Sequence, residues 1–235
     1  MKDNSELSEK RQEEEKPKRK NYVSNKETLL RADTAIENLQ NQAVIKEKMA
    51  VHGYGEEQVA GLSATRDNAR AEYHKNEREG QESLASRATF EDSAEKLFEM
   101  YGDDRKKAKR VFREEPEILA ILELDGRIPT SYAGRIDIVK LFYRTLSEKQ
   151  EYLDRLTPLM ITAEHVTAAN SLIDATEKAR EAYFREKGES EASTPAKNAA
   201  FRKLDKEMGD MYTIAAIALK DTPQLLEALG KKIKS

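Results

Sequence analysis

Ala69-Arg70-Ala71-Glu72-Tyr73 is echoed later in the chain by Ala179-Arg180-Glu181-Ala182-Tyr183, and the residues around these two pentapeptides decide how the chain is read. At the same offset of 110 residues Leu62 meets Leu172, Ile36 meets Leu146 and Met49 meets Leu159. At 111, Phe90 meets Phe201 and Met100-Tyr101 meets Met211-Tyr212. A four-residue contraction then brings Pro116 to Pro223, Leu119 to Leu226 and, with small slips, Leu122 to Leu229 and Gly126 to Gly230. Self-similarity at one period is the mark of a repeated supersecondary unit. The sequence therefore predicts a tandem duplication, with one copy in residues 26–127, a second in 128–235 and a charged, disordered arm in 1–25.

Each copy reads as helix throughout. Of 235 residues only 10 are Gly and 6 are Pro, Trp is absent, and Ala, Glu, Lys, Leu and Arg dominate, a set with strong helix propensity. Ser24-Asn25-Lys26-Glu27 has the capping-box pattern, and Leu29, Ala32, Ile36, Leu39, Ala43 and Ala50 follow at three-four spacing with Lys46 as the one break. His52-Gly53-Tyr54-Gly55 ends that helix. A second carries Val59, Leu62, Ala69 and Tyr73 on one face and is expected to dissolve in the polar stretch 77–86. Thr89-Phe90-Glu91-Asp92 then opens a third, with Phe90, Ala94, Leu97, Tyr101, Ala108 and Phe112 in phase. Pro116 suits the first turn of a short fourth helix over 118–124, and Gly126 closes the unit.

The second copy repeats this pattern from Ile138, with Phe142, Leu146, Leu153, Leu156 and Met160 on one stripe and Pro158 ending or kinking the helix. Thr194-Pro195 and Thr222-Pro223 both read as an N-cap followed by Pro at the first helical position. The expected architecture is all-α: a tandem duplication of an antiparallel bundle unit, three long helices and one short per copy, related by a pseudo-twofold.

Several function classes drop out. With no Cys there is no disulfide, thiolate metal site or cysteine nucleophile. Neither a Gly-x-x-x-x-Gly-Lys nor a Gly-x-Gly-x-x-Gly loop occurs. The longest apolar run, Ile214-Ala215-Ala216-Ile217-Ala218-Leu219, falls far short of the roughly 20 residues of a membrane span. The first fifteen residues hold charges around a single Leu7, so neither a secretory leader nor a membrane partner is expected, and the location expected is cytoplasmic. Three histidines, His52, His74 and His165, are the whole supply. None forms an inward Glu-x-x-His pair of the kind that holds di-iron in helical bundles, so they read as exposed polar residues. No catalytic, cofactor or metal set assembles from spacing.

Two groups of residues remain as contact candidates. A net charge of −3 argues against a globally basic nucleic-acid binder, but Lys16, Lys18, Arg19 and Lys20 form one local patch and Arg105, Lys106, Lys107, Lys109 and Arg110 another. The counterpart of the second patch, residues 213–219, is almost wholly apolar, so a face charged in one half is expected to be buried in the other. The repeat-matched residues Arg70, Tyr73, Arg180 and Tyr183 could offer an anion a guanidinium fork and a hydroxyl, or simply pack a helix shoulder. The expectation is a non-enzymatic helical interaction or scaffolding protein with a protein partner or self-association. A carboxylate-rich bundle enzyme or metal-binding protein and a nucleic-acid-associated protein are the alternatives.

Overall fold

The computed structural model describes residues 23–231, within which all regular structure is helical and no strand occurs. Helix α1 spans Asn25–Asn41, α2 Ala43–Val51, α3 Glu56–Val111 and α4 Pro116–Ile121. Then follow α5 Tyr132–Glu148, α6 Gln150–Leu156, a 3-10 turn Thr157–Leu159, α7 Ala163–Ala218 and α8 Leu225–Ala228. None of these helices is long and apolar enough to cross a membrane.

The helix starts have the expected chemistry. Ser24 Oγ accepts the Glu27 N–H, and Ser131 Oγ accepts that of Gly134, each at 3.2 Å. Glu27 does not complete the capping box; its carboxylate takes the Arg31 Nε–H instead. Pro116 does open α4. The break after α1 was not expected: Gln42 is extended with ψ 102°, so the first stripe is divided between α1 and α2, as Lys149 divides α5 from α6.

The expected three long helices per copy are corrected to one of 17 residues and one of 56, with two short ones. No boundary falls in 77–86. That stretch contains no Pro and has three Glu with single Arg, Gln, Leu and Ala as good helix formers, and its single Gly80 costs only about 1 kcal/mol, too little to end a helix supported on both sides. Small and polar Asn76, Gly80, Ser83 and Ser86 are half-buried at three-four spacing, so the helix keeps a packed face without large apolar residues. Thr194-Pro195 likewise fails as a start. Pro195 lies inside α7, and Thr194 turns its hydroxyl back to the Ser190 carbonyl at 3.4 Å. Near the end, α8 begins two residues after Pro223.

The elements recur at a uniform spacing of 107 residues. This holds for the starts of α1 and α5, α2 and α6, and α3 and α7, for the capping serines, and for Pro116 and Pro223. Positive φ recurs at the same distance, at Gly53 and Met160 and again at Glu123 and Gly230. Buried positions follow: Leu29 and Ile136, Ala32 and Val139, Leu39 and Leu146, Leu97 and Leu204, Phe112 and Leu219 are pairs so spaced. The sequence echo at 110–111 is thus displaced from the structural spacing by one helical turn. A slip of about 3.6 residues preserves the apolar phase, which is why the displaced register still matched like with like.

The chain divides into two compact units. Unit one holds the described residues up to Arg70 and those from Ala199 onward; unit two holds Ala71–Asn198. Each draws on both halves of the chain. Unit one comprises α1, α2, the start of α3, the end of α7 and α8, joined by contacts such as Asn38 Nδ2 to the Ala228 carbonyl at 2.9 Å. In unit two the end of α3 runs antiparallel to the start of α7, with Asn76 opposite Ser193 and Ser93 opposite Thr176. Leu97, Tyr101, Phe112, Phe142, Tyr143, Leu146, Leu156 and Val166 are part of its continuous apolar core.

Candidate functional site

The basic run 105–110 does not present five cations to solvent. Arg105 is 6% exposed and donates to the carbonyls of Leu124 at 3.0 Å and Gly126 at 2.6 Å, clasping the chain after α4. Lys106 is paired with Asp103 and Lys107 with Asp104 on the same helix. Only Lys109 and Arg110 of the five are exposed with no carboxylate partner among the described residues. The counterpart 213–219 is buried on one face only: Ala215, Ala218 and Leu219 are buried, while Ile217 is 56% exposed. Lys16, Lys18, Arg19 and Lys20 lie outside the described residues, as does most of the 1–25 arm.

Arg70, Tyr73, Arg180 and Tyr183 do not form matching pairs. In unit one Arg70 donates to Asp33 at 2.6 Å, and Arg66 joins it on the other carboxylate oxygen. In unit two Tyr73 donates to Glu77 at 2.7 Å. Arg180 covers the rings of Tyr132 and Phe184, at 5.1 and 4.7 Å from their centres, and Tyr183 stacks on Phe90 at 6.2 Å. The residue 107 beyond Arg70 is Glu177, which accepts from Lys140, and Lys140 stands 107 beyond Asp33. One ion pair thus recurs with its charges exchanged.

His165 is not the exposed polar residue expected. It stands in the first turn of α7, its amide on Thr162 Oγ, and its Nε2 lies 2.5 Å from Asp104 Oδ2. Asp104 is 1% exposed and also accepts the Tyr143 hydroxyl at 2.8 Å. Burial, and then the Asp104 charge, push the Tyr143 phenol well above its usual range. Elsewhere, Glu79, Glu186 and Glu189 bring carboxylate oxygens within 4.8 Å of one another, with no histidine among them.

A surface groove of unit two was missed from sequence. Phe90, Ala94 and Phe98 on α3, with Tyr132 and Arg135 in the first turn of α5, line a groove of about 520 Å³. Tyr132 meets Phe90 and Phe98 edge-on, at 5.3 and 6.0 Å between ring centres. The Arg135 guanidinium lies 3.9 Å from the centre of the Phe98 ring. Tyr132 Oη and Arg135 Nε are buried with no hydrogen-bond partner among the described residues. Glu91, Glu95 and Glu99 line the same groove, one turn apart.

The positions 107 residues away test what the fold needs there. Phe98 corresponds to Asp205, Tyr132 to Asn25 and Phe90 to Lys197, and Glu95 and Glu99 correspond to Arg202 and Lys206. Lys197 donates to Asn76 at 2.6 Å, where Phe90 stacks on Tyr183, so a polar pair and an aromatic pair serve the same structural place. The signal available in sequence was this contrast, and it is legible only at a spacing of 107. Comparison with family models, with curated proteins and with solved structures finds no match for this chain.

Proposed function

We propose that the chain is a non-enzymatic helical interaction protein, descended from one duplicated unit, that docks a protein partner on the aromatic groove of unit two. The duplication is supported by the uniform spacing of helix starts, capping serines, prolines, positive-φ residues and buried positions. The docking role rests on one observation: three partly exposed aromatic rings stand where the equivalent positions carry Asp, Asn and Lys. Rings that stay partly exposed forgo the free energy of full burial, and aromatic residues and Arg are the side chains that anchor interfaces. Glu91, Glu95 and Glu99 form a polar rim beside the rings.

The test compares the full chain with the double variant F98D/Y132N, which installs the residues of the equivalent positions. A partner held by the wild type and lost from the variant, at unchanged helical circular dichroism, supports the reading. Identical sets of partners and identical sedimentation for both proteins would refute it.

A further inference from the structure

Lys46, the one break in the first apolar stripe, borders a cavity. Its equivalent on α6 is Leu153, which is 4% exposed in the core of unit two. On α2 the neighbouring Ile45 and Met49 are fully buried as the pattern demands, but Lys46 turns outward and pairs with Glu56 at 2.8 Å. Beside Lys46 unit one has a pocket of about 250 Å³, part of which a leucine at this position would occupy, walled by Leu39, Met49, Tyr54 and Val59 with Lys46 and Glu56 also in its lining. That exceeds the about 150 Å³ of a well-studied engineered apolar hole that binds benzene. Glu56 is matched by Ala163, so the ion pair and the pocket belong to unit one only.

From this we infer a binding site for a small amphipathic carboxylate, its hydrocarbon tail in the pocket and its head group on the Lys46 ammonium. The lining is mostly apolar, with Gln40, Lys46 and Glu56 its amide and charged side chains, so a hydrocarbon tail is the favoured occupant. The head group follows from charge. The side chain of Glu56 is 85% exposed, so its bond to Lys46 is a weakly held surface pair that an incoming carboxylate can replace. The volume is below that of drug-sized pockets, which limits the tail to medium length. This site shares no residue with the aromatic groove and does not depend on a protein partner.

Octanoate is the probe, titrated into the full chain and read by the Met49 methyl resonance. A saturable shift is expected, at least ten-fold weaker in K46L, which removes the ammonium and occupies part of the pocket, and tighter in E56A, which removes the competing carboxylate. Octanol and octylamine are expected to bind at least ten-fold more weakly than octanoate. An unmoved Met49 resonance, equal binding of octanoate and octanol, or octanoate binding undiminished in K46L would each overturn the assignment. K46L is expected to melt higher than wild type, so a failure to bind is distinguishable from a failure to fold.

Discussion

The Tyr143 hydroxyl donates to a carboxylate, Asp104, buried inside unit two, while the residues equivalent to these two, Ile36 and Met211, are both buried and apolar. One architecture thus accepts an ionic and a hydrocarbon solution at the same place. Removing one partner of a buried polar pair costs the desolvation of the other, whereas replacing both by apolar groups of similar volume is often neutral or better. Tyr143→Phe is expected to lose about 1–3 kcal/mol in urea unfolding. D104M/Y143I is expected to match or exceed the wild type, since His165 and Lys107, the other partners of Asp104, are partly exposed and can be solvated. A double variant less stable than the single would mean that the network, not its volume, holds this part of the core.

Tyr54 gives a second handle through pH. Its phenol is pushed up to about 12, first by burial and then by the Glu207 and Asp210 carboxylates. The folded state therefore holds this proton more tightly than the unfolded chain, whose tyrosines titrate near the usual 10. The stabilisation is fully present below pH 10 and is lost as pH rises through about 12. In urea titrations at pH 9 and pH 11, the wild type is expected to lose more stability between the two than Tyr54→Phe does.

The two halves also differ in backbone chemistry. Pro195 lies inside α7 and has no N–H for the carbonyl of Glu191, while its equivalent in α3 is Ala88. Pro195→Ala is expected to stabilise by about 3 kcal/mol, the usual penalty of an interior proline. Met160, 74% exposed, adopts φ 66° where the equivalent residue is Gly53, so Met160→Gly is expected to gain about 1 kcal/mol or less. Both changes are read from urea midpoints. A loss at Pro195 would show that the turn around Ser190 and Ser193 needs the ring.

Composition and apolar phase made the helices legible, because a stripe such as Phe201, Leu204, Met208 and Met211 admits no other structure. Helix ends were legible where a side chain or Pro supplies the mechanism, as at Ser24 and Pro116. They were misread at 77–86 and at Thr194-Pro195, where local signals for a break are outweighed by a helix anchored on both sides. The register was lost by one turn for the same reason that helices have a face. Arg105 and His165 could not be placed from sequence because their partners, Leu124 and Asp104, lie 19 and 61 residues away. The groove stayed hidden because Tyr132 and Phe98 are brought together only by tertiary packing.

The composition of the units leads to a final prediction about the junction at residues 128–131. If each half were a self-contained bundle, cutting the chain there would release two folded pieces. In the structure, unit one joins the start of the chain to its end, through Asn38 with Ala228 and Lys48 with Thr222. Unit two joins the end of α3 to the start of α7, through Asn76 with Ser193 and Asp104 with His165. Each half therefore places buried apolar residues in a unit that it shares with the other, Leu97 and Leu204 among them. A site-specific protease sequence inserted at this junction, cleaved to completion in the folded protein, is expected to leave both fragments in one species of unchanged helicity on size-exclusion chromatography. They should part only in denaturant. Separation of the fragments under native conditions, each still helical, would show instead that the halves fold alone and that the contacts joining them contribute little to stability.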